Sequence, residues 1–282
     1  MTSRPVLDAV LAELRFGARG AASGATGRFA FATDFDAPER WPDVPYDTSS
    51  ASARHDTDAR TRIASILDGA ARTMDGRAPA ARRLVDAQLQ RVLLRCSETA
   101  PGGSASHRSH VGSCLMTNLH RSAAAVPVAI EAVTHEAIHQ LLYRTEQATG
   151  LFCDLSPLPT VRSPWSGARL PLHSLVHASF VWFGLLSLWS ELALAPSSDA
   201  DAEHARARIA HCLFGFAFLD DLLDAPSFPA SGVEPRVLDA MHGMAAAART
   251  ATDAAEPGAS LGEVAAARLG PAWPSALAAR LP

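Results

Sequence analysis

His135-Glu136-Ala137-Ile138-His139 is an HExxH motif in a segment that reads as a helix. Imidazoles four residues apart stand one turn apart on one helical face, so their ring nitrogens can converge on a single metal ion. The commonest chemistry of such a motif is zinc-dependent peptide hydrolysis, with Glu136 polarising a metal-bound water. HExxH fixes only three positions, however, and two ordinary helix histidines satisfy it equally well.

A metal site of this kind needs a third ligand. His139 is followed by Gln140, Leu141, Leu142 and Tyr143, so the glycine and third histidine of a metzincin are absent. Glu146 follows His139 by seven residues on the same helix, too far along the axis to share its ion. Glu191, on a later helix, stays open as a carboxylate ligand. His177 is the stronger candidate, because an imidazole in the apolar stretch around Leu175, Val176 and Ala178 needs a partner to offset desolvation. His173, one turn earlier, is a ligand, a donor to a ligand or a loop-facing group. Between the two histidine segments, Arg162 and Arg169 flank a turn containing Ser163, Pro164 and Trp165. A guanidinium is an awkward neighbour for a cation but a natural partner for an anion bound to one, since it grips a carboxylate with two parallel hydrogen bonds.

The ordered blocks HEAIHQLLY (His135 to Tyr143), RSPW (Arg162 to Trp165), RLPL (Arg169 to Leu172) and LVHASFVW (Leu175 to Trp182) resemble the HExxH-type 2-oxoglutarate-dependent peptide β-hydroxylases. These enzymes are associated with ribosomally made, post-translationally modified peptides. The resemblance covers the stretch from Val111 to Trp189. It implies Fe(II) held by His135, His139 and His177, with 2-oxoglutarate and O2 completing the reaction. It also implies that Arg162 or Arg169 binds the distal carboxylate of 2-oxoglutarate, with Ser163 adding a hydrogen bond and Trp165 walling the pocket. The family's Arg-Pro-Leu block carries one inserted residue here, so both arginines stand as candidates. Glu136 then takes a supporting role at the site. The partner implied is a precursor peptide hydroxylated at a side-chain β-carbon. The alternative is a zinc metallopeptidase with Glu136 as general base.

The elements that must position these residues read as mainly α with a minor β element, the metal site lying between the HExxH helix and a later core helix. Helices are expected over Pro5–Phe16, Asp58–Met74, Pro79–Cys96, Leu172–Leu194, Asp199–Leu223 and Val233–Asp253. The HExxH helix is expected to be capped by Ser122, with Pro127 in its first turn, and stopped by Gly150. Val111–Leu119 is short enough for a strand or hairpin, and Leu155–Pro171 reads as a loop. A short amphipathic pair, Leu261–Leu269 and Trp273–Leu281, follows. The Gly/Ala/Ser/Asp-rich connection from Gly17 to about His55, with Phe29, Phe31, Phe35, Trp41 and Tyr46, is long for a structureless loop. No linker argues for independent domains, so 1–282 reads as one domain: an N-terminal helical region to 105, a metal- and cofactor-binding core over 106–195, and C-terminal helices.

Composition limits the partners. The 282 residues are 48% hydrophobic, carry a net charge of −4 and contain no lysine, all 25 basic residues being arginine. That balance offers no electrostatic footprint for nucleic acid. Cys96, Cys114, Cys153 and Cys212 form no CxxC pair and read as reduced, buried thiols of a cytoplasmic protein. Nothing near the N-terminus resembles a signal peptide. Leu175–Leu194 is interrupted by polar residues, so it reads as a buried core helix rather than a membrane span.

Overall fold

The fold is taken from a computed structural model, which describes residues 4–15, 27–35, 52–98, 102–157 and 159–255. Trp41, Tyr46 and the segments Leu261–Leu269 and Trp273–Leu281 lie outside the described residues. The architecture is mainly α with a minor β element: 64% helical, with seven α-helices and a small sheet among the described residues. Two compact units are formed, one by Met1–Arg15 with Thr145–Pro282, the other by Phe16–Arg144.

In the Phe16–Arg144 unit, helices α2 (Thr57–Arg77) and α3 (Pro79–Gln88) precede the central strand of a five-stranded sheet. Asp56 caps α2, its Oδ1 accepting from the Ala59 amide at 2.7 Å. The buried residues Ile63, Ile66, Leu67, Ala70, Ala71 and Met74 recur at helical spacing, which makes one stripe of α2 apolar. Strands β1 (Ala32–Phe35), β3 (Arg91–Ser97) and β5 (Ser113–Thr117) run parallel in the order β1-β3-β5. Strand β4 (Gly103–Ser106) pairs antiparallel with β5 at the end of that order, and the short β2 (Ser52–Ala53) pairs with the end of β3.

The expected helix Pro79–Cys96 is therefore corrected. It stops at Gln88, and Arg91–Ser97 is a strand. Val92, Leu93 and Leu94 are all buried, as in a central parallel strand covered on both faces.

The HExxH motif lies on α4 (Ala125–Thr149). Ser122 does not cap this helix; it closes the preceding turn, its amide donating to the Leu119 carbonyl, and α4 begins three residues later. Pro127 does sit in the first turn, and Gly150 follows the last turn with φ +102°.

In the other unit, α1 (Arg4–Leu14), α5 (Leu172–Leu194), α6 (Asp199–Asp224) and α7 (Pro235–Ala255) pack together, with α5 in contact with each of the others. The expected loop Leu155–Pro171 contains a hairpin, β6 (Thr160–Arg162) with β7 (Arg169–Pro171), which leads directly into α5. Helix α5 is long and apolar enough to cross a membrane by composition, but 72% of its apolar window is buried within the protein, as befits a core helix.

Candidate functional site

Among the described residues, the His, Cys, Asp and Glu side chains gathered closely enough to hold an ion are Glu146, His173 and His177, whose ligand atoms all lie within 4.8 Å of one another. Glu146 comes from the last turn of α4, and the two histidines from the first two turns of α5. Four residues separate the histidines, so their rings share one helical face, with centroids 4.2 Å apart. His173 Nε2 lies 2.9 Å from Glu146 Oε1 and 3.0 Å from Oε2. His177 Nε2 lies 3.3 Å from Oε2. The Phe152 amide donates to Oε1 at 3.1 Å and fixes the carboxylate from the chain that follows α4.

The cluster is largely buried: side-chain exposure is 4% for Glu146, 1% for His177 and 13% for His173. Burial alone would raise the Glu146 carboxyl, but the hydrogen bonds and charge of the two histidines outweigh it and hold the group well below the usual carboxylate range. An ionised carboxylate and two imidazoles with their ligand atoms this close form the donor set of a divalent transition-metal site. Nearby Cys153 is the opposite case. Burial, then the charges of Glu146 and Asp154, push its thiol up to about 12, so it stays protonated at neutral pH. All four cysteines are free and buried.

The motif histidines occupy the Phe16–Arg144 unit. Their rings stand 4.9 Å apart, and Tyr143 stacks on His139 one turn further on. His135 is 32% exposed, whereas Glu136 between them is buried at 1%. Glu136 turns towards the sheet, where Ser104 Oγ donates to its Oε1 at 2.7 Å. Gln140 anchors the same side of α4, accepting from the Gly112 amide at 2.7 Å and donating to the Ser113 carbonyl at 2.9 Å.

The resemblance groups His177 with His135 and His139; the structure groups it with Glu146 and His173. Glu191, the other open candidate, lies fourteen residues beyond His177 on α5, about 21 Å along the axis, and is not in the cluster. Glu146 lies seven residues beyond His139 on α4, about 10 Å along the axis, too far to share an ion with it. That arithmetic stands, but it says nothing about which other helix Glu146 meets. The readable signal was a buried-type spacing of Glu146 one turn before the helix stop, followed by two histidines at i, i+4 opening the next helix.

The arginines expected to bind a carboxylate lie on the β6–β7 hairpin. Its register sets Arg162 opposite Arg169, which places both side chains on one face. Arg162 Nη1 donates to the Gly167 carbonyl at 3.2 Å, and Arg169 Nε to Thr160 Oγ1 at 3.0 Å. Ser163 is buried in the turn, accepting from the Ser166 amide at 3.3 Å. Trp165 has a packing contact instead of an open ring: it is 2% exposed, and its Nε1 donates to the Cys212 carbonyl on α6 at 3.2 Å.

No family model and no curated protein matches this chain.

Proposed function

We propose that this protein is a cytoplasmic Fe(II)/2-oxoglutarate-dependent oxygenase that hydroxylates a side-chain β-carbon of a ribosomally made precursor peptide. The observation that carries the reading is the Glu146–His173–His177 cluster. Two histidines and one carboxylate are the donor set that non-haem Fe(II) oxygenases use, leaving positions for a bidentate cosubstrate and O2. Fe(II) with 2-oxoglutarate and O2 supplies oxidative decarboxylation to succinate and CO2 coupled to insertion of one oxygen atom into a C–H bond.

The chain's own residues support this in two ways. Burial of Glu146 and His177 keeps bulk water from the ligand atoms and holds the carboxylate ionised, ready to coordinate. Arg162 and Arg169 face each other across the hairpin that opens α5. Like charges directly opposite are unfavourable in a sheet, and an anion between them relieves the repulsion. The hydrolytic alternative needs Glu136 beside a metal-bound water, whereas its carboxylate is buried and bonded to Ser104.

His177 belongs to both ligand sets, the one implied by the resemblance and the one formed by the cluster. His177→Ala should weaken Fe(II) binding by more than the roughly 10–100-fold cost of losing a supporting group. Glu146→Gln should do the same if the cluster is the centre. Anaerobic titration with Fe(II), followed by 2-oxoglutarate, O2 and a peptide encoded beside the gene, checks this. Succinate and a one-oxygen mass gain are expected. Peptide cleavage without O2 would instead support the zinc peptidase, and loss of iron in His139→Ala with Glu146→Gln unaffected would return the centre to the motif.

A further inference from the structure

The parallel strands β1, β3 and β5 of the Phe16–Arg144 unit end at Phe35, Ser97 and Thr117. In open α/β sheets the carboxyl end of the strands is where ligands bind, because the chain leaves the sheet there and its connections supply side chains. The connection after β5 is tightly built. Asn118, with φ +56°, donates from Nδ2 to the Ser97 carbonyl and accepts from the Ser97 amide at Oδ1, each at 2.9 Å. His120 and Arg121 follow in one 3-10 turn, Leu119–Arg121.

Arg121 is exposed but held in place. Its Nη1 donates to the Ser97 carbonyl at 2.7 Å and its Nη2 to Cys96 Sγ at 3.7 Å. These contacts fix the guanidinium plane and leave Nε–H and one further N–H on each Nη for a ligand. The buried His55 stands edge-on to the half-buried His120, ring centroids 5.4 Å apart, and to Phe35 at 5.5 Å. Arg60, in the first turn of α2, secures this wall: its Nε donates to the His55 carbonyl at 3.1 Å, and its guanidinium lies 5.0 Å from the Phe35 ring centre. Arg62, also on α2, is exposed and makes no hydrogen bond or ion pair among the described residues.

Positive charge is in excess here. Burial, then the charges of His55 and Arg121, hold the His120 imidazole below its ordinary value; Arg62 acts in the same direction, and Asp56 opposes them. Asp56 already serves the N-terminus of α2, where its Oδ1 accepts from the Ala59 amide.

We propose that this end of the sheet binds a phosphate dianion, free or as a monoester, with Arg121, Arg62 and His120 as its donors. A guanidinium fixed by the main chain presents parallel N–H groups to two phosphate oxygens, and the second guanidinium and the imidazole meet the others. A lone carboxylate has oxygens enough for one guanidinium and leaves the remaining cations unneutralised. All of these residues belong to one unit, and the site does not depend on the metal centre.

Inorganic phosphate titrated into the full chain, followed by the imidazole proton resonances of His120, should give a saturable shift at micromolar to millimolar concentration. Arg62→Gln and Arg121→Gln should each weaken binding about tenfold. Arg62 holds nothing else in place, so its variant keeps the fold. Arg206→Gln, an exposed arginine on α6, should leave the affinity unchanged. Phenyl phosphate in a parallel titration separates the two sources: tighter binding assigns a monoester, equal or weaker binding the free ion. No saturable shift with either probe, full affinity in Arg62→Gln, an equal loss in Arg206→Gln, or displacement by chloride at constant ionic strength would overturn the proposal.

Discussion

His211 on α6 shows how one side chain outside the candidate centre sets a pH response. Its ring lies 4.8 Å from that of Trp182, and the Arg208 guanidinium stands 5.4 Å from the same indole. Burial first, then the charge of Arg208, push the imidazole down to about 4. The unfolded chain takes up this proton near the ordinary value of 6.5, while the folded chain does not take it up until much lower pH. Stability linked to His211 is therefore intact above pH 6.5 and declines as pH falls towards 4, where the loss levels off. The shift corresponds to about 2 kcal/mol once partial exposure is allowed for. Denaturant titrations of the wild type and His211→Phe between about pH 7 and about pH 4 measure it; the variant should lose that much less stability, and equal losses would contradict the assignment. At this same scale the candidate centre was only half legible. The desolvation of His177 can be read from its apolar neighbours. Its partnership with Glu146 cannot, because it depends on where the end of α4 meets the start of α5.

Packing between elements is sharpest where Trp165, from the turn between β6 and β7, meets α6. A Cβ added to Gly215 would fall 1.9 Å from the indole Nε1, so only glycine leaves room for the ring and its bond to the Cys212 carbonyl. Glycine inside a helix costs about 1 kcal/mol relative to alanine, and the buried ring offsets that here. Gly215→Ala should destabilise the protein by about 2 kcal/mol, since overpacking and the lost hydrogen bond exceed the gain in helix propensity. Gly243 on α7 is the control: a Cβ there meets nothing within 4 Å, so Gly243→Ala should stabilise by up to about 1 kcal/mol. Thermal melts of the two variants should move in opposite directions. The elements themselves were readable where amphipathic or apolar runs were long. Helix α5 has the bounds its sequence predicts, Leu172–Leu194. Strand β3 reads as helix in the sequence because Val92-Leu93-Leu94 is an apolar run buried on both faces, and periodicity cannot separate such a strand from a buried helix.

Over the whole molecule, the unit that contains the Glu146–His173–His177 cluster is assembled from two distant parts of the chain. Helix α1 supplies Leu7, Val10 and Leu14, exposed by 3%, 4% and 0%, and packs on α5 and α7. Leu14→Ala should therefore cost about 3 kcal/mol, although it lies far in sequence from every candidate ligand. Denaturant unfolding followed by hydrogen exchange would show the loss, with protection falling in α5 and α7; unchanged protection there would contradict the packing. That discontinuity could not be read from composition, because no linker-like stretch marks a boundary that falls inside α4, between Arg144 and Thr145.

The split also has a consequence during synthesis. Helix α1 is made before its partners α5 and α7, and α5 begins at Leu172, 158 residues after Leu14. At roughly 5–20 residues per second, Leu7, Val10 and Leu14 spend about 8–30 s on the nascent chain before that partner exists. Throughout that interval these three apolar side chains lack the α5 and α7 surfaces that bury them in the folded protein, so this core is completed only after α7 is made.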